Sequence, residues 1–412
     1  MKLENCLQLQ IKFSYKYVYR GNCDNKKNIY VVAAKRTPFG RYRGFFNEQN
    51  AVDLGVMALK GTLASAKIDP AEIEAVFMGN VISAGLGENM ARQVALNSGL
   101  PETTVATTIN DVCGSSLKAV RLAQAQMEMG DVNLVAVGGA ESMTNTPFVV
   151  EKKYKDNPSE HLENTLLKDG LVDAFSDKHM GITAENVAEK YDVSREEMDQ
   201  FSFKSHQRAV KAIEENAFSD EILPIELNGQ TLDHDETIRP DTNMEALANL
   251  KPVFKEDGDV TAGNASPLTD GASMLILATE DKVKELGLTP LAKLGEFAEA
   301  GFDPSLMGYT PYYAVKKLMN KAGTTIDDYD VFEINEAFAA QSVALQRDLH
   351  IPEEKLNILG GAIALGHPLG ATGARLIETA MSALKKCNGK RALVTLCIGG
   401  GQAIAYEIKR EN

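Results

Sequence analysis

Short apolar runs alternate along this chain with segments of helical spacing, and this alternation restricts the possible fold more than any other feature. Residues 29–34 (IYVVAA), 104–110 and 134–137 have the β-branched, apolar character of buried strands. Between the last two runs, Ser115 begins a segment whose apolar side chains recur at helical spacing. Strands and helices in alternation predict a layered α/β architecture.

The same pattern returns after residue 270, which indicates a duplication. It ends in a helical segment at 374–384 and two strand-like runs at 393–398 and 403–408, which three glycines join into a predicted hairpin. The first half likewise ends in a helix, an apolar strand and a glycine-rich turn at Gly138 and Gly139. We therefore predict two related α/β halves.

Between the halves, residues 142–268 are polar and rich in helix formers, and we interpret them as an inserted loop domain that carries substrate contacts. Residues 1–27 lack the apolar segment of a signal peptide. Their few Arg and Ser residues favour a disordered extension over a mitochondrial presequence. The predicted units are 1–27 as the extension, 28–141 with 269–288 as the N-terminal half, 142–268 as the inserted domain and 289–412 as the C-terminal half.

Charge and cysteine content exclude several classes of function. The 412-residue chain has a net charge of -14 and no apolar run near the roughly 20 residues that cross a bilayer, so we expect neither nucleic-acid nor membrane binding. An anionic ligand must then meet a local Lys or Arg. Five cysteines without a CxxC pair and six histidines without metal-ligand spacing predict no disulfide framework and no metal site. We expect a reducing compartment, the cytoplasm.

Cys113 lies in the segment NDVCGSS (residues 110–116), between a predicted strand end and a predicted helix start. Backbone N–H groups at a helix N-terminus stabilise an adjacent thiolate, and the small residues that follow let a bulky substrate approach the sulfur. A lone cysteine is more often an unreactive core residue, so this segment alone leaves both interpretations open.

His367 and Cys397 lie in two glycine-rich segments. In GGAIALGHPLGATG (residues 360–373) the backbone can pass close to a ligand, and a histidine held there can deprotonate a thiol. The alternative is a phosphate-binding loop, although the Lys-Ser/Thr ending of a P-loop is absent. Cys397 precedes three glycines, where a thiol can exchange a proton or can simply be a core cysteine before a turn.

Asn335 opens the segment NEAFA (residues 335–339), directly after the strand-like run 331–334. As a neutral donor it can hold a water at a catalytic centre. The alternative is a helix cap, a common place for asparagine, and without the other segments the cap is the simpler interpretation.

These four segments, in this order, resemble the thiolases, a family of acyl-CoA acyltransferases. The resemblance extends from residue 28 to residue 409 and includes RTPFG (36–40), GGAESM (138–143), HMG (179–181) and TAGNAS (261–266). It implies a layered αβαβα fold of two duplicated α/β halves, in which the inserted domain binds coenzyme A (CoA). It implies no separate cofactor, since CoA thioesters are the substrates.

By this resemblance Cys113 is the nucleophile, His367 the base that activates it, and Cys397 the acid/base that removes the α-proton of a second thioester. Asn335, through a water and with His367, binds one thioester oxygen, and the N–H groups of Cys113 and Gly399 bind another. The residues that the resemblance places against CoA or the acyl group are Arg239, Ser266, Leu171, His179, Met180, Phe254, Ala262, Met307 and Phe338.

Met307 and Phe338 with the HMG segment most resemble the short-chain biosynthetic branch, which joins two acetyl-CoA into acetoacetyl-CoA and CoA. Two alternatives stay open: a degradative 3-ketoacyl-CoA thiolase of fatty-acid β-oxidation, and a non-catalytic acyl-CoA- or lipid-binding protein on the same fold. The resemblance also implies a homotetramer or a homodimer.

Overall fold

The computed structural model describes residues 27–411, so the predicted N-terminal extension lies, apart from residue 27, outside the described residues. The strands are β1 (Ile29–Arg36), β2 (Gly40–Arg41), β3 (Ala75–Gly79), β4 (Val105–Ile109), β5 (Leu134–Ser142), β6 (Phe148–Val149), β7 (Glu163–Asn164), β8 (Val172–Asp173), β9 (Lys178–His179), β10 (Ile225–Leu227), β11 (Gln230–Leu232), β12 (Thr269–Thr279), β13 (Ala292–Gly301), β14 (Val331–Ile334), β15 (Arg391–Ile398) and β16 (Gln402–Arg410). The α-helices are α1 (Ala51–Ser65), α2 (Met90–Asn97), α3 (Ser115–Met129), α4 (Met180–Lys190), α5 (Arg195–Glu214), α6 (Met244–Ala248), α7 (Glu280–Leu286), α8 (Pro311–Ala322), α9 (Ala339–Leu349), α10 (Ala362–Leu365) and α11 (Thr372–Cys387).

One mixed sheet runs through the molecule in the order β14-β15-β16-β13-β1-β12-β5-β3-β4. In the N-terminal half the parallel pair β3 and β5 is followed by the antiparallel strand β12 and then by the first strand of that half, β1. In the C-terminal half the parallel pair β14 and β15 is followed by the antiparallel strand β16 and then by the first strand of that half, β13. The repeated order agrees with the predicted duplication. The halves join where β1 pairs with β13, through Tyr30 with Lys293 and Val31 with Ala292.

Helices cover the sheet in layers. Helices α3 and α11 pack against each other between the two halves of the sheet, α3 on β3 and β5 and α11 on β14 and β15. Side chains alternate along β5, so that Val135 and Val137 face this central layer while Leu134 and Ala136 face α1 and α2. Helix α8 packs on β13, β15 and β16, with its apolar side chains in a third core. The predicted αβαβα layering is confirmed.

The segment 142–268 adds helices and short strands outside this sheet. Two of these helices, α4 and α5, agree with the richness of the segment in helix formers and pack on α9 of the C-terminal half. The exact boundaries of the predicted units stay a prediction.

A buried ion-pair network fastens the inserted segment to the first strand. Arg36 at the end of β1 is fully buried and donates from Nε to Glu221 Oε1 at 2.9 Å. Its Nη1 and Nη2 atoms donate to the two carboxylate oxygens of Asp235 at 2.6 and 2.8 Å. Asp235 also accepts the backbone N–H of Phe39 at 2.8 Å. The guanidinium therefore neutralises two buried carboxylates at once.

We predict that Arg36→Met lowers the free energy of unfolding by about 3–5 kcal/mol, because both carboxylates lose their buried partner. The control is Arg41→Met, which removes an ion pair to Glu236 from an arginine whose side chain is 68% exposed, and its effect is much smaller. Urea unfolding of both variants measures the difference. Equal urea midpoints for the two variants would contradict this account of the network.

Candidate active site

Cys113 lies in the tight turn between β4 and α3. The preceding residue, Val112, has φ of +47°, a left-handed conformation that is strained for a β-branched side chain. Local hydrogen bonds hold it there: Val112 N–H donates to Asn110 Oδ1 at 3.0 Å, and Ser115 Oγ donates to Val112 O at 2.6 Å. The turn fixes Cys113 beside the N-terminus of α3, as the sequence predicts.

Cys397 is the second-to-last residue of β15 and comes close to Cys113. The N–H groups of Gly399 and of Cys113 itself are directed at the Cys113 sulfur. Burial raises the pKa of the Cys113 thiol well above its usual range, and the nearby Cys397 raises it further. Burial likewise raises the pKa of Cys397 to about 12. The structure thus brings the two predicted cysteines near each other, and both rest as neutral thiols.

His367 is buried, and its neighbours define its tautomer. Thr372 Oγ1 donates to Pro368 O at 2.9 Å, so it accepts the proton on His367 Nδ1 at 2.5 Å. The Nε2 atom then carries the lone pair that can accept a proton. Burial first, and the positive charge of Arg375 second, lower the pKa of His367 to about 3. The imidazole is therefore neutral over the physiological range.

Asn335 follows β14 and connects His367, Arg375 and, through Gln341, Cys397. Its Nδ2 atom lies 3.4 Å from His367 Nε2, and its Oδ1 accepts from Arg375 Nη2 at 3.4 Å, which turns the amide nitrogen toward the histidine. Its backbone carbonyl accepts from Gln341 Nε2 at 2.8 Å, and Gln341 Oε1 accepts from Cys397 Sγ at 3.2 Å. A continuous network therefore extends from His367 to Cys397.

Glu141, at the end of β5, holds two loops of the site together. Its fully buried carboxylate accepts from Gly370 N at 2.9 Å, Val81 N at 3.0 Å, Ile82 N at 3.1 Å and Asn80 Nδ2 at 2.9 Å. Burial raises its pKa to about 7 despite these four donors. One side chain thus ties the histidine loop to the loop after β3.

Glycines let the two central helices and their loops touch. A Cβ at Gly139 would collide with the carbonyl oxygen of Gly370, and a Cβ at Gly373 would collide with the backbone nitrogen of Leu117. In addition, Ala374 N donates to Ser116 Oγ at 3.0 Å. The N-termini of α3 and α11, which carry the Cys113 and His367 loops, are therefore in direct contact.

The residues predicted to close the acyl pocket surround Cys397. Met307 is buried with Ala337 and Cys397 in one small apolar cluster, and Met180 and Phe338 pack against it. His179 stacks on Phe254 with ring centroids 4.5 Å apart. Phe254 meets Phe338 edge to face at 6.1 Å. An apolar wall thus lies beside the second thiol.

The remaining predicted ligand residues are spread over the inserted segment. Leu171 packs against the central core that contains Cys113. Ser266 N donates to Ala337 O at 3.0 Å, which places Ser266 next to the apolar cluster. Arg239 and Ala262 are exposed, and Arg239 N donates to His206 Nδ1 at 3.2 Å. The Arg239 side chain is thus open to an anionic ligand.

Sequence reasoning does not identify five side chains that the structure brings to the site. Glu141 lies within the GGAESM segment, and Thr372 and Arg375 lie at or just after the end of the histidine loop. Gln341 lies two residues after NEAFA, and Thr269 Oγ1 accepts His367 N at 3.2 Å. Their proximity to motifs is a weak signal, since most of their partners, apart from that of Thr372, are distant in sequence.

Residues 27–411 lack two other kinds of functional feature. None of the helices in this range is long and apolar enough to span a bilayer. The same range contains no group of three or more His, Cys, Asp or Glu side chains placed to hold a metal ion.

Two family models match the chain: "Thiolase, N-terminal domain" over residues 29–281 and "Thiolase, C-terminal domain" over residues 288–410. A "Probable acetyl-CoA acyltransferase" of Staphylococcus epidermidis is 45% identical over 390 residues, which cover 93% of this chain and 98% of that protein. An "Acetyl-CoA acetyltransferase" of Allochromatium vinosum is 44% identical over 391 residues, covering 93% and 99%.

Solved structures of the same fold also match. The acetyl-CoA acetyltransferase of Bacillus anthracis has a TM-score of 0.90 and 37% identity, covering 94% of this chain and 100% of that one. Human mitochondrial 3-ketoacyl-CoA thiolase in complex with CoA has a TM-score of 0.90 and 41% identity, covering 94% and 99%. The predicted fold family is thereby confirmed.

We predict that Glu141→Ala lowers the free energy of unfolding by about 3 kcal/mol or more, because three backbone N–H groups and one amide lose a buried acceptor. The matched control is Glu88→Ala, at an exposed position, which leaves the free energy of unfolding nearly unchanged. Urea unfolding measures both. If Glu141→Ala were as stable as the control, the carboxylate would not hold these loops.

Proposed function

The chain belongs to the thiolase family and is an acyltransferase, and on that premise we propose that it joins two molecules of acetyl-CoA into acetoacetyl-CoA and CoA. The observation that carries this proposal is the pair of buried thiols, Cys113 and Cys397, with the N–H of Gly399 directed at the Cys113 sulfur. The reaction is reversible and covalent, with two half-reactions.

In the first half-reaction Cys113 attacks the thioester carbonyl of acetyl-CoA while its proton passes to His367 Nε2. A thiol with a raised pKa and an imidazole with a lowered one disfavour a resting ion pair, so the proton moves as the sulfur–carbon bond forms. The carbon–sulfur bond to CoA then breaks, and the departing thiolate takes the proton of Cys397. The products are acetyl-Cys113, CoA, a Cys397 thiolate and a protonated His367.

In the second half-reaction the Cys397 thiolate removes a methyl proton from another acetyl-CoA. The electron pair moves to the enolate oxygen, where Asn335 Nδ2 and the protonated His367 supply donors. The enolate carbon attacks the acetyl group on Cys113, a carbon–carbon bond forms, and the Cys113 thiolate leaves. His367 returns its proton to that thiolate, and every group is back in its starting state.

The apolar cluster beside Cys397 favours a short acyl group. Met307 and Ala337 are buried there, and Met180 and Phe338 pack against them, so bulky apolar side chains surround the sulfur. The likeness to human mitochondrial 3-ketoacyl-CoA thiolase supports a second candidate, the thiolytic cleavage of longer 3-ketoacyl-CoA. Cleavage rates on acetoacetyl-CoA and on a longer 3-ketoacyl-CoA separate the two candidates.

We also propose that CoA lies against the inserted segment. The exposed guanidinium of Arg239 offers the positive charge that a phosphate needs on an acidic protein, and Ser266 lies beside the acyl cluster. Leu171, Phe254, His179 and Ala262 would line the pantetheine channel. The solved relative in complex with CoA supports this ligand.

We further propose a homodimer or homotetramer. Strand β4 is an edge strand of the sheet in the described chain, and Val105 on this strand is 64% exposed. An edge strand is a common site of pairing with a second copy. Analytical ultracentrifugation tests this assembly. The cytoplasmic location stays a prediction from the sparse cysteines.

We predict that Cys113→Ala and His367→Ala nearly abolish condensation of acetyl-CoA, since removal of such groups typically costs on the order of 100-fold or more. Cys397→Ala still forms acetyl-Cys113 but does not condense. Intact-mass measurement after incubation with acetyl-CoA detects the acetyl group, and an acetoacetyl-CoA assay detects condensation. The control is Cys387→Ala, an exposed thiol remote from the site.

Condensation at the normal rate by Cys397→Ala would remove that residue from its proposed role. Absence of any acetyl adduct on the unmodified protein would instead favour the non-catalytic acyl-CoA-binding alternative.

We predict that the pH profile of Cys113 acetylation has no inflection near 6.5, the ordinary pKa of histidine. Because the pKa of His367 is lowered to about 3, the imidazole stays a neutral base as pH falls from 8 to 5 and is lost only well below that range. The rate constant of the first half-reaction, followed as CoA release between pH 5 and 8, measures this. A decline centred near 6.5 that persists in Glu141→Gln, which removes the carboxyl group with a pKa of about 7, would show that His367 has an ordinary pKa.

A further inference from the structure

Gln341 is the polar side chain in contact with the Cys397 sulfur. It lies in the first turn of α9, is 1% exposed, and its Oε1 atom accepts from Cys397 Sγ at 3.2 Å. The other side chains of this cluster, those of Met307, Ala337, Met180 and Phe338, are apolar. The amide therefore dominates the polar environment of the second thiol.

The orientation of this amide follows from its other contact. Gln341 Nε2 donates to the backbone carbonyl of Asn335 at 2.8 Å. A flipped amide would bring its oxygen against that carbonyl oxygen, two acceptors with no proton between them. The oxygen of Gln341 therefore faces the Cys397 sulfur. An amide N–H in that place would lower the pKa of the Cys397 thiol, but the N–H group is held by the Asn335 carbonyl, so the contact acts in the opposite direction.

Close packing of the Gly308 backbone also holds the Gln341 side chain in this position. Gly308 lies against the Gln341 side chain, and a Cβ there would approach Gln341 Cβ to 2.8 Å and Oε1 to 3.0 Å. The space occupied by the amide is thus bounded by main chain on the Gly308 side and by the Asn335 carbonyl on the other.

We propose that Gln341 is a positioning residue that makes Cys397 a stronger base in the second half-reaction, an inference that rests on the proposed function. An acceptor oxygen beside sulfur stabilises the thiol through S–H···O and destabilises the thiolate. When the Cys397 thiolate takes the methyl proton of acetyl-CoA, an S–H bond forms, a C–H bond breaks and the electron pair moves to the enolate oxygen. The amide oxygen favours this direction of proton transfer.

The two half-reactions should then respond differently to loss of the amide. In the first, Cys397 donates its proton to the departing CoA thiolate, and loss of an acceptor makes the thiol no weaker as an acid. In the second, the thiolate must remove a weakly acidic proton, and a less basic thiolate does so more slowly. A residue that only supports packing would affect both half-reactions alike.

The test compares wild type with Gln341→Met, which keeps the length of the side chain and removes the amide. We expect acetylation of Cys113, followed as CoA release in a single turnover, to stay within about twofold of wild type. We expect the condensation rate to fall by about 10-fold or more. With acetyl-CoA deuterated in its methyl group, the isotope effect on condensation should increase, because proton removal becomes more rate-limiting.

The control is Ser342→Ala, the next residue of α9, which is also buried and whose hydroxyl donates at 3.3 Å to the Phe338 carbonyl one turn earlier. It should leave both half-reactions unchanged. A second variant, Gln341→Glu, keeps an acceptor oxygen beside the sulfur and should recover part of the condensation rate when burial keeps its carboxyl protonated.

Equal losses in both half-reactions, or an unchanged isotope effect, would overturn the assignment of Gln341. Wild-type condensation rates in Gln341→Met would do the same. If wild type itself formed no acetyl-Cys113, the proposed function would fail instead, so the two failures are distinguishable.

Discussion

The contact between the N-termini of α3 and α11 is the constraint on which the site depends. Each helix belongs to a different half of the molecule, and each is preceded by a loop with one reactive side chain, Cys113 or His367. Ser116 and Ala374 share a hydrogen bond across the contact, and Gly373 brings α11 against the backbone of Leu117. The duplication of the fold thus produces a proposed catalytic centre that neither half contains alone.

Burial sets the charge state of this centre. The two thiols have raised pKa values and His367 has a lowered one, so the resting site carries no charge on the reacting groups. A charged side chain close to His367 and Asn335 is that of Arg375. It is fully buried, and its Nη1 atom lies 3.8 Å from Glu333 Oε2. A neutral site can admit a thioester without first breaking an ion pair, and charge develops only as bonds change.

Much of the fold could be predicted from local pattern. The run 331–334 coincides with β14, and the segments around Cys113, His367, Asn335 and Cys397 do converge. Strand β13 was not predicted, because its sequence AKLGEFAEAG has glycines and two glutamates where strands prefer β-branched residues. Pairing with β16 and β1 holds it in place, and such long-range pairing leaves no local signal.

The supporting side chains of the site could not be predicted for a similar reason. Gln341 and Arg375 act on Cys397 and Asn335, which are 56 and 40 residues away in sequence. From the sequence alone, a glutamine in a helix and an arginine near a glycine-rich segment would both be expected on the protein surface. Only the folded geometry shows that both are buried and aimed at the reacting groups.

The close approach of glycines in the central layer also has a genetic consequence. Where a side chain limits the space, as Leu223 does at Gly61, a larger residue can be compensated by shortening the neighbour. At Gly139 and Gly373 the obstacle is main chain, which no second-site suppressor can trim. A larger residue at either position therefore cannot be rescued by a second substitution. We expect both glycines to be retained even in relatives that act on other acyl chains.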